Sequence, residues 1–443
     1  MDAEKLKLLI EEFHETELPS VIERRLIDID LDTKKIVAVF GPRRSGKTYY
    51  FYYLIKKLIS QGLEKTRLLY INFEDDRILP FSVEDFEKLV ETYYELYPQN
   101  KSKEVFMFLD EIQNIDGWEI AIRRIYDKER VRIFITGSSS KLLSKEIATA
   151  LRGRTISYEM LPFSFEELLA ARGIDAKNVF YSKSRFDAKH ALDEYMKFGG
   201  FPEVIMQKNE NTKIRILQEY MNVVFYRDLI ERFSIKNKVL IKEMLRYAIS
   251  NISNYFSLSG FYKLAKEKHG ITKKTVLDYA GYMEDIGIIF FVSKFSSSLK
   301  EQMRNPRKIY IVDTGFRTAH GFFLTEDYGK IMENLVFLKL KHIKMKNPLI
   351  EIFYWKDKET DIDFLIKEGR HIKNIMQVCW NINKKETKDR ETQSMVKALK
   401  KFDLKEGVIV TKDSETKERI GGKTVHYVPL WKFLLKNYSE TMK

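Results

Sequence analysis

The chain has 443 residues, 44% of them hydrophobic and 32% charged, which excludes a disordered protein and allows about three domains at roughly 150 residues each. A single cysteine, Cys379, excludes a disulfide framework and any paired-thiol metal site, and seven scattered histidines argue against a His-based one. The formal net charge of +13 is lopsided: residues 1–200 hold 32 Lys/Arg against 34 Asp/Glu, a net of −2, and residues 201–443 hold 45 against 30, a net of +15. A basic half on a neutral half fits a nucleic-acid-binding module on a neutral engine, and equally a lysine-rich solvated surface.

The opening segment, MDAEKLKLLIEEFHE, is acidic and polar, unlike a secretory leader. No run approaches the ~20 apolar residues of a membrane span, so a cytoplasmic protein without membrane contact is expected. Strand-length apolar runs then follow at Ile36–Phe40, Leu68–Phe73, Val105–Leu109, Ile133–Ile135 and, more weakly, Ile156–Tyr158. Amphipathic segments separate them, which predicts a parallel sheet covered on both faces.

The first run enters Gly41-Pro42-Arg43-Arg44-Ser45-Gly46-Lys47-Thr48, a GxxxxGKT loop ahead of a helix over Tyr49–Leu58. Glycines let backbone N–H groups approach phosphates, and the helix N-terminus adds partial positive charge. Lys47 would reach the β- and γ-phosphates of ATP and the Thr48 hydroxyl would ligate Mg²⁺. The third run ends in Asp110-Glu111. There Asp110 suits a Mg²⁺ contact, and Glu111 would deprotonate the attacking water, which favours ATP hydrolysis over binding alone. The fourth run ends in Thr136-Gly-Ser138-Ser-Ser140, where Thr136 or Ser138 could sense the γ-phosphate or simply cap a helix. Next comes Leu151-Arg152-Gly153-Arg154, in which either arginine could act in trans on a neighbouring subunit's ATP or be an ordinary surface residue.

GPRRSGKT, FLDEIQNIDGW, ITGSSS, LRGR and LPFSFEEL, in this order, resemble the AAA-type P-loop predicted ATPases common in archaeal genomes. The resemblance implies an α/β fold: a P-loop NTPase parallel sheet, a helical lid, a winged helix and a smaller αβ nuclease-like domain. The boundaries this implies are 1–160, 161–235, 236–318 and 319–443. Gly199-Gly-Phe-Pro202 resembles the glycine–x–proline element that signalling-type P-loop ATPases place near the nucleotide; it also reads as a loop that ends a helix.

Helices are predicted over Glu166–Ala171, Ala188–Phe198 and Ile214–Ile230. Farther on, Leu258–His269 and Ile271–Asp285 read as two helices around a glycine turn, a helix-turn-helix. Val276, Leu277, Ala280 and Met283 are expected to pack inward. Thr272, Lys273 and Lys274 would then stand where a recognition helix meets DNA, with Gly287–Phe295 and Lys308–Val312 as the wing. Protein contact alone is the competing use of such a module. The last stretch reads αβββαβ, with Glu333 on the leading helix, Asp363 in Thr360-Asp-Ile-Asp363 and Gln377-Val-Cys379 on a later strand. This is similar to the PD-(D/E)XK nuclease fold, whose active members bind Mg²⁺ through an Asp and a Glu and keep a lysine two residues after the Glu. Here Gln377 stands in the Glu position and Cys379 in the Lys position, which argues against cleavage. Lys384 or Lys385 is the candidate substitute cation, and a structural αβ module with Asp361 and Asp363 as surface acids is the plainer alternative.

Overall fold

Each of the five apolar runs before residue 160 is a strand, and the five pair in parallel. They are β1 (Ile36–Gly41), β2 (Leu68–Asn72), β3 (Val105–Asp110), β4 (Val131–Ser138) and β5 (Thr155–Glu159), in the sheet order β2-β3-β4-β1-β5. The computed structural model describes the chain outside residues 25, 26, 28, 139–148, 177, 178, 180, 181, 321–326 and 437–443. It divides into two units, Met1–Leu161 and Pro162–Lys443. Strand side chains alternate between faces. Ile36 and Ala38 of β1 therefore join one apolar cluster, with Leu109, Ile122 and Ile135, while Val37 and Val39 join the other, with Phe51, Leu54, Phe108 and Phe134. Burial on both faces is what a parallel sheet requires. The register sets Gly41 beside Ser138 and Asn72 beside Asp110, so the carboxyl ends of four strands share one edge.

The second unit begins with helix Phe165–Ala171, where Ser164 and Glu167 cap one another's backbone. Helices Ser182–Phe198, Glu210–Val223 and Lys238–Ser250 follow, the second running into a π-helical turn over Val224–Glu231. Gly199, at φ +74°, ends the first of these, and Pro202 opens the short helix Pro202–Met206. The Gly199–Gly200 loop is pinned from within this unit. Asp313 Oδ2 accepts from Gly200 N at 2.6 Å, and a Cβ on Gly199 would lie 1.6 Å from Asp313 Oδ1.

β6 (Tyr255–Phe256), helices Leu258–His269 and Lys273–Asp285, β7 (Ile289–Val292), helix Leu299–Arg304 and β8 (Arg307–Ile311) come next. Their strands form an antiparallel sheet in the order β6-β8-β7. Gly270 ends the first helix in a left-handed conformation, and the Thr272 side chain caps the second by accepting from Thr275 N. Val276, Ala280 and Met283 are buried as expected. Leu277 is instead 56% exposed, because it lies about 100° round the helix from Val276, and Tyr279 takes the inward place.

Helix Tyr328–Lys346, β9 (Ile350–Lys356), β10 (Asp361–Glu368), β11 (His371–Cys379), helix Lys385–Lys401 and β12 (Glu406–Thr411) give the expected αβββαβ order. Two further strands, β13 (Thr416–Ile420) and β14 (Lys423–Pro429), and helix Leu430–Leu435 extend it. The resulting sheet has six strands in the order β13-β14-β12-β11-β10-β9. Among the described residues no helix is long and apolar enough to cross a membrane.

Candidate active site

The loop after β1 turns tightly enough to need its glycines. A Cβ on Gly41 would lie 2.1 Å from the Met160 carbonyl oxygen, and Gly46, at φ +94°, is the left-handed residue from which helix Lys47–Ser60 starts. Arg44 is also left-handed, at φ +64°, and its side chain is exposed; Arg43 lies 3.6 Å from Glu74. The Ser45 hydroxyl is buried with no hydrogen-bond partner among the described residues. An orphaned hydroxyl and a helix N-terminus in one small loop are what a phosphate ligand would satisfy. Lys47 is folded back: its Nζ donates to the carbonyls of Gly41 (3.3 Å) and Pro42 (3.2 Å) and lies 3.7 Å from Glu111 Oε1.

Asp110 ends β3 fully buried. Its carboxylate accepts from the hydroxyls of Thr136 and of Tyr70 (3.1 Å), and Thr48 also reaches it. Burial and then the neighbouring Glu111 charge push its pKa up to about 6, against the pull of Thr136, Thr48 and Lys47. Glu111 has a left-handed backbone (φ +53°), donates its N–H to Thr136 Oγ1 at 2.9 Å and accepts through its carboxylate from Gln113 Nε2. Thr136 therefore ties Asp110 to the Glu111 backbone. Ser138 is buried at the end of β4 beside Gly41, whereas Ser139 and Ser140 lie outside the described residues.

Arg152 and Arg154 lie elsewhere. Ile36 N donates to Arg154 O, which places this turn at the opposite end of β1 from the phosphate loop. Five strand rises of about 3.3 Å separate the two ends, roughly 17 Å. Arg154 makes a two-pronged ion pair with Asp127 at 3.0–3.1 Å, and Arg152 is exposed in a left-handed turn.

Three neighbours of this site are not visible as motifs. Arg24, buried, donates to Ser45 O at 2.9 Å and Leu161 O at 2.6 Å. Tyr70 and Gln113 hold Asp110 and Glu111. Tyr70 is 40 residues from its partner, so sequence carries no local signal for that contact, whereas Gln113 is only two residues from Glu111.

In the second unit, Lys273 and Lys274 are exposed at the first turn of their helix, while Thr272 is occupied as its cap. Glu333 and Asp363 are brought together in the interior, so Asp363 is no surface acid. Gln377 does not face them as a third ligand. Its Oε1 accepts from Asp363 N at 3.0 Å and its Nε2 donates to Glu391 at 2.9 Å, which makes it a brace.

A P-loop and an acidic strand end on a parallel sheet define an AAA-type P-loop ATPase domain, and residues 33–169 match the family model described as an AAA domain. Residues 189–326 and 328–433 match two domains of unknown function, DUF8612 and DUF4143. The chain belongs to the family of the uncharacterized protein MJ1544 of Methanocaldococcus jannaschii, with 35% identity over 443 residues, 97% of this chain and 96% of that one. An uncharacterized protein of Haemophilus influenzae is 28% identical over 402 residues, 90% of this chain and 94% of that one. The solved structure of the Aeropyrum pernix ORC1 protein in complex with DNA covers 72% of this chain and 92% of its own at 15% identity, with a TM-score of 0.30.

Proposed function

We propose that the chain is an ATP-hydrolysing AAA-type protein whose basic C-terminal half contacts nucleic acid, DNA above RNA, in an ATP-dependent way. The observation that carries the ATPase reading is the convergence of Lys47, Asp110 and Glu111 on one sheet edge, around a loop with an orphaned buried hydroxyl. In this reading the backbone of residues 41–48 wraps the phosphates of ATP or ADP and Lys47 swings from its carbonyl partners to the phosphate oxygens. Thr48 and Asp110 hold Mg²⁺, which when bound neutralises phosphate charge. Glu111 takes the proton of the attacking water. Thr136 or Ser138 senses the γ-phosphate, and the Thr136 hydroxyl also ties Asp110 to the Glu111 backbone. Arg152 acts in trans within a homo-oligomer, because Arg154 is held by Asp127 and neither lies at its own phosphate loop. Lys47→Ala is expected to abolish nucleotide binding in a fluorescent-nucleotide titration; unchanged affinity would sink the site.

For the basic half we read residues 236–318 as a winged helix and 319–443 as a nuclease-like domain kept for binding rather than cleavage, with 161–235 as the helical lid. The helix–strand–helix–helix order followed by two antiparallel strands with a short helix between them, and the exposed Lys273 and Lys274, support the first of these. Not all of the +15 is available to a ligand, since Lys213, Lys308 and Lys339 are buried. Duplex DNA binding by anisotropy across a salt series tests the reading. The affinity is expected to fall steeply with salt, and Lys273→Ala with Lys274→Ala to flatten the logarithmic slope by roughly 2. Steady-state turnover with and without DNA then reads the coupling. No binding at low salt and no stimulation would leave a slow nucleotide-dependent switch and protein scaffold, the reading from a different class.

A further inference from the structure

Lys308 is the second residue of β8, yet its side chain serves the C-terminal module rather than its own sheet. Its Nζ donates to Asp363 Oδ1 at 2.7 Å and to Glu333 Oε1 at 3.0 Å. All three residues are buried, at 4%, 8% and 9% exposure respectively. Tyr310, on the same face of β8, donates its hydroxyl to Glu333 Oε1 at 2.7 Å, and Val378 N–H donates to Asp363 Oδ2 at 2.9 Å. Asn334, next to Glu333, closes both backbone groups of Ile311, accepting from its N at 2.9 Å and donating to its O at 3.0 Å. A second contact runs alongside: Tyr255 of β6 donates to Asp361 of β10 at 2.7–2.8 Å.

Two carboxylates cannot share a dry site uncompensated; they must take up a proton or acquire a cation. The ammonium offsets one of the two charges, and burial with the Asp363 charge beside it raises the pKa of Glu333, whose carboxyl also accepts from Tyr310. Burial works against the ammonium, but Asp363 and Glu333 outweigh burial and hold Lys308 protonated far above ordinary pH. The candidates offered by sequence, Lys384 and Lys385, are exposed at the start of helix Lys385–Lys401.

We propose that Glu333 and Asp363 form a cation site whose occupant is the chain's own Lys308, which excludes a divalent metal and clamps β8 to the C-terminal module. The inference rests on this cluster alone and stands whether or not the basic half meets nucleic acid. Its corollary is that a divalent ion enters only when the ammonium is removed. Breaking a buried ion pair leaves the remaining charges uncompensated, so Lys308→Met is expected to be strongly destabilised.

The test uses the full chain without nucleotide and Mn²⁺ alone as the probe. For wild type, the melting temperature should be the same in EDTA and in millimolar Mn²⁺. Lys308→Met should melt roughly 10 °C lower in EDTA and recover much of that in Mn²⁺. Paramagnetic resonance should count one more bound Mn²⁺ per chain than in wild type. No gain in Mn²⁺ and no recovery would overturn the proposal. A second measurement stands even where Lys308→Met does not fold: wild type and the Glu333→Gln, Asp363→Asn double variant should bind Mn²⁺ equally. Loss of a bound ion in the double variant would mean that wild type already holds a metal there, and the proposal would be wrong.

Discussion

Glu111→Gln is expected to lower ATP turnover by roughly 10² to 10⁴-fold while ATP still binds. The substitution keeps the shape of the side chain, so the left-handed backbone at this position and the N–H bond to Thr136 need not change. What disappears is the negative oxygen that lies 3.7 Å from Lys47 and takes the proton from water in our reading. Removing it also frees Lys47 of a competitor for its charge, so affinity should hold or tighten. Phosphate release measured beside fluorescent-nucleotide binding separates the two effects. Turnover within a few-fold of wild type would remove Glu111 from the role of base, whatever the affinity does.

Asp313→Ala should lower the stability of the second unit by about 4 kcal/mol, because two buried backbone N–H groups lose their acceptor at about 1–3 kcal/mol each. Gly200 N and Gly315 N donate to its two oxygens at 2.6 and 2.8 Å. Burial pushes the Asp313 pKa up to about 7 against these donors, so the interior holds a carboxyl that is costly to ionise and is kept for its bonds. Neither glycine leaves room for a side chain that could offer a substitute acceptor. A Cβ on Gly200 would sit 2.2 Å from the Phe163 carbonyl oxygen, and one on Gly315 would sit 2.4 Å from that of Phe198. The expected fall in melting temperature is on the order of 10 °C by calorimetry. A shift within a degree or two would show that water or a relaxed loop takes over the orphaned donors.

Much of the ATPase unit was legible because its signals are local. β1 to β3 are built on long apolar runs and β4 on the shorter run Ile133–Ile135, and the loop and acids that matter follow directly on two of them. The second unit was less legible for physical reasons. β13 reads Thr-Lys-Glu-Arg-Ile and lies on a sheet edge, so neither face demands apolar residues and no alternation appears. β6 is two residues long. Lys308 looks in the sequence like any basic residue at the start of a wing strand; its burial depends on Glu333 and Asp363, 25 and 55 residues away. Gln377 stands in the sequence where a metal-binding Glu would, whereas its amide bridges the Asp363 backbone to Glu391, a job a carboxylate could not do with an N–H on one side and a second carboxylate on the other. The glycine–x–proline loop carries a recognisable motif, but the motif does not reveal that Asp313, more than 100 residues away, holds it.

Arg24 has a mechanical consequence. One rigid, planar group grips the carbonyl of Ser45, inside the phosphate loop, and the carbonyl of Leu161, the last residue of the ATPase unit. A guanidinium is rigid, so in our reading a displacement of the loop backbone by phosphate would strain one of these bonds or draw Leu161 with it. The arginine is thus a direct tie from the loop to the point where the polypeptide leaves the engine, made without passing through the sheet.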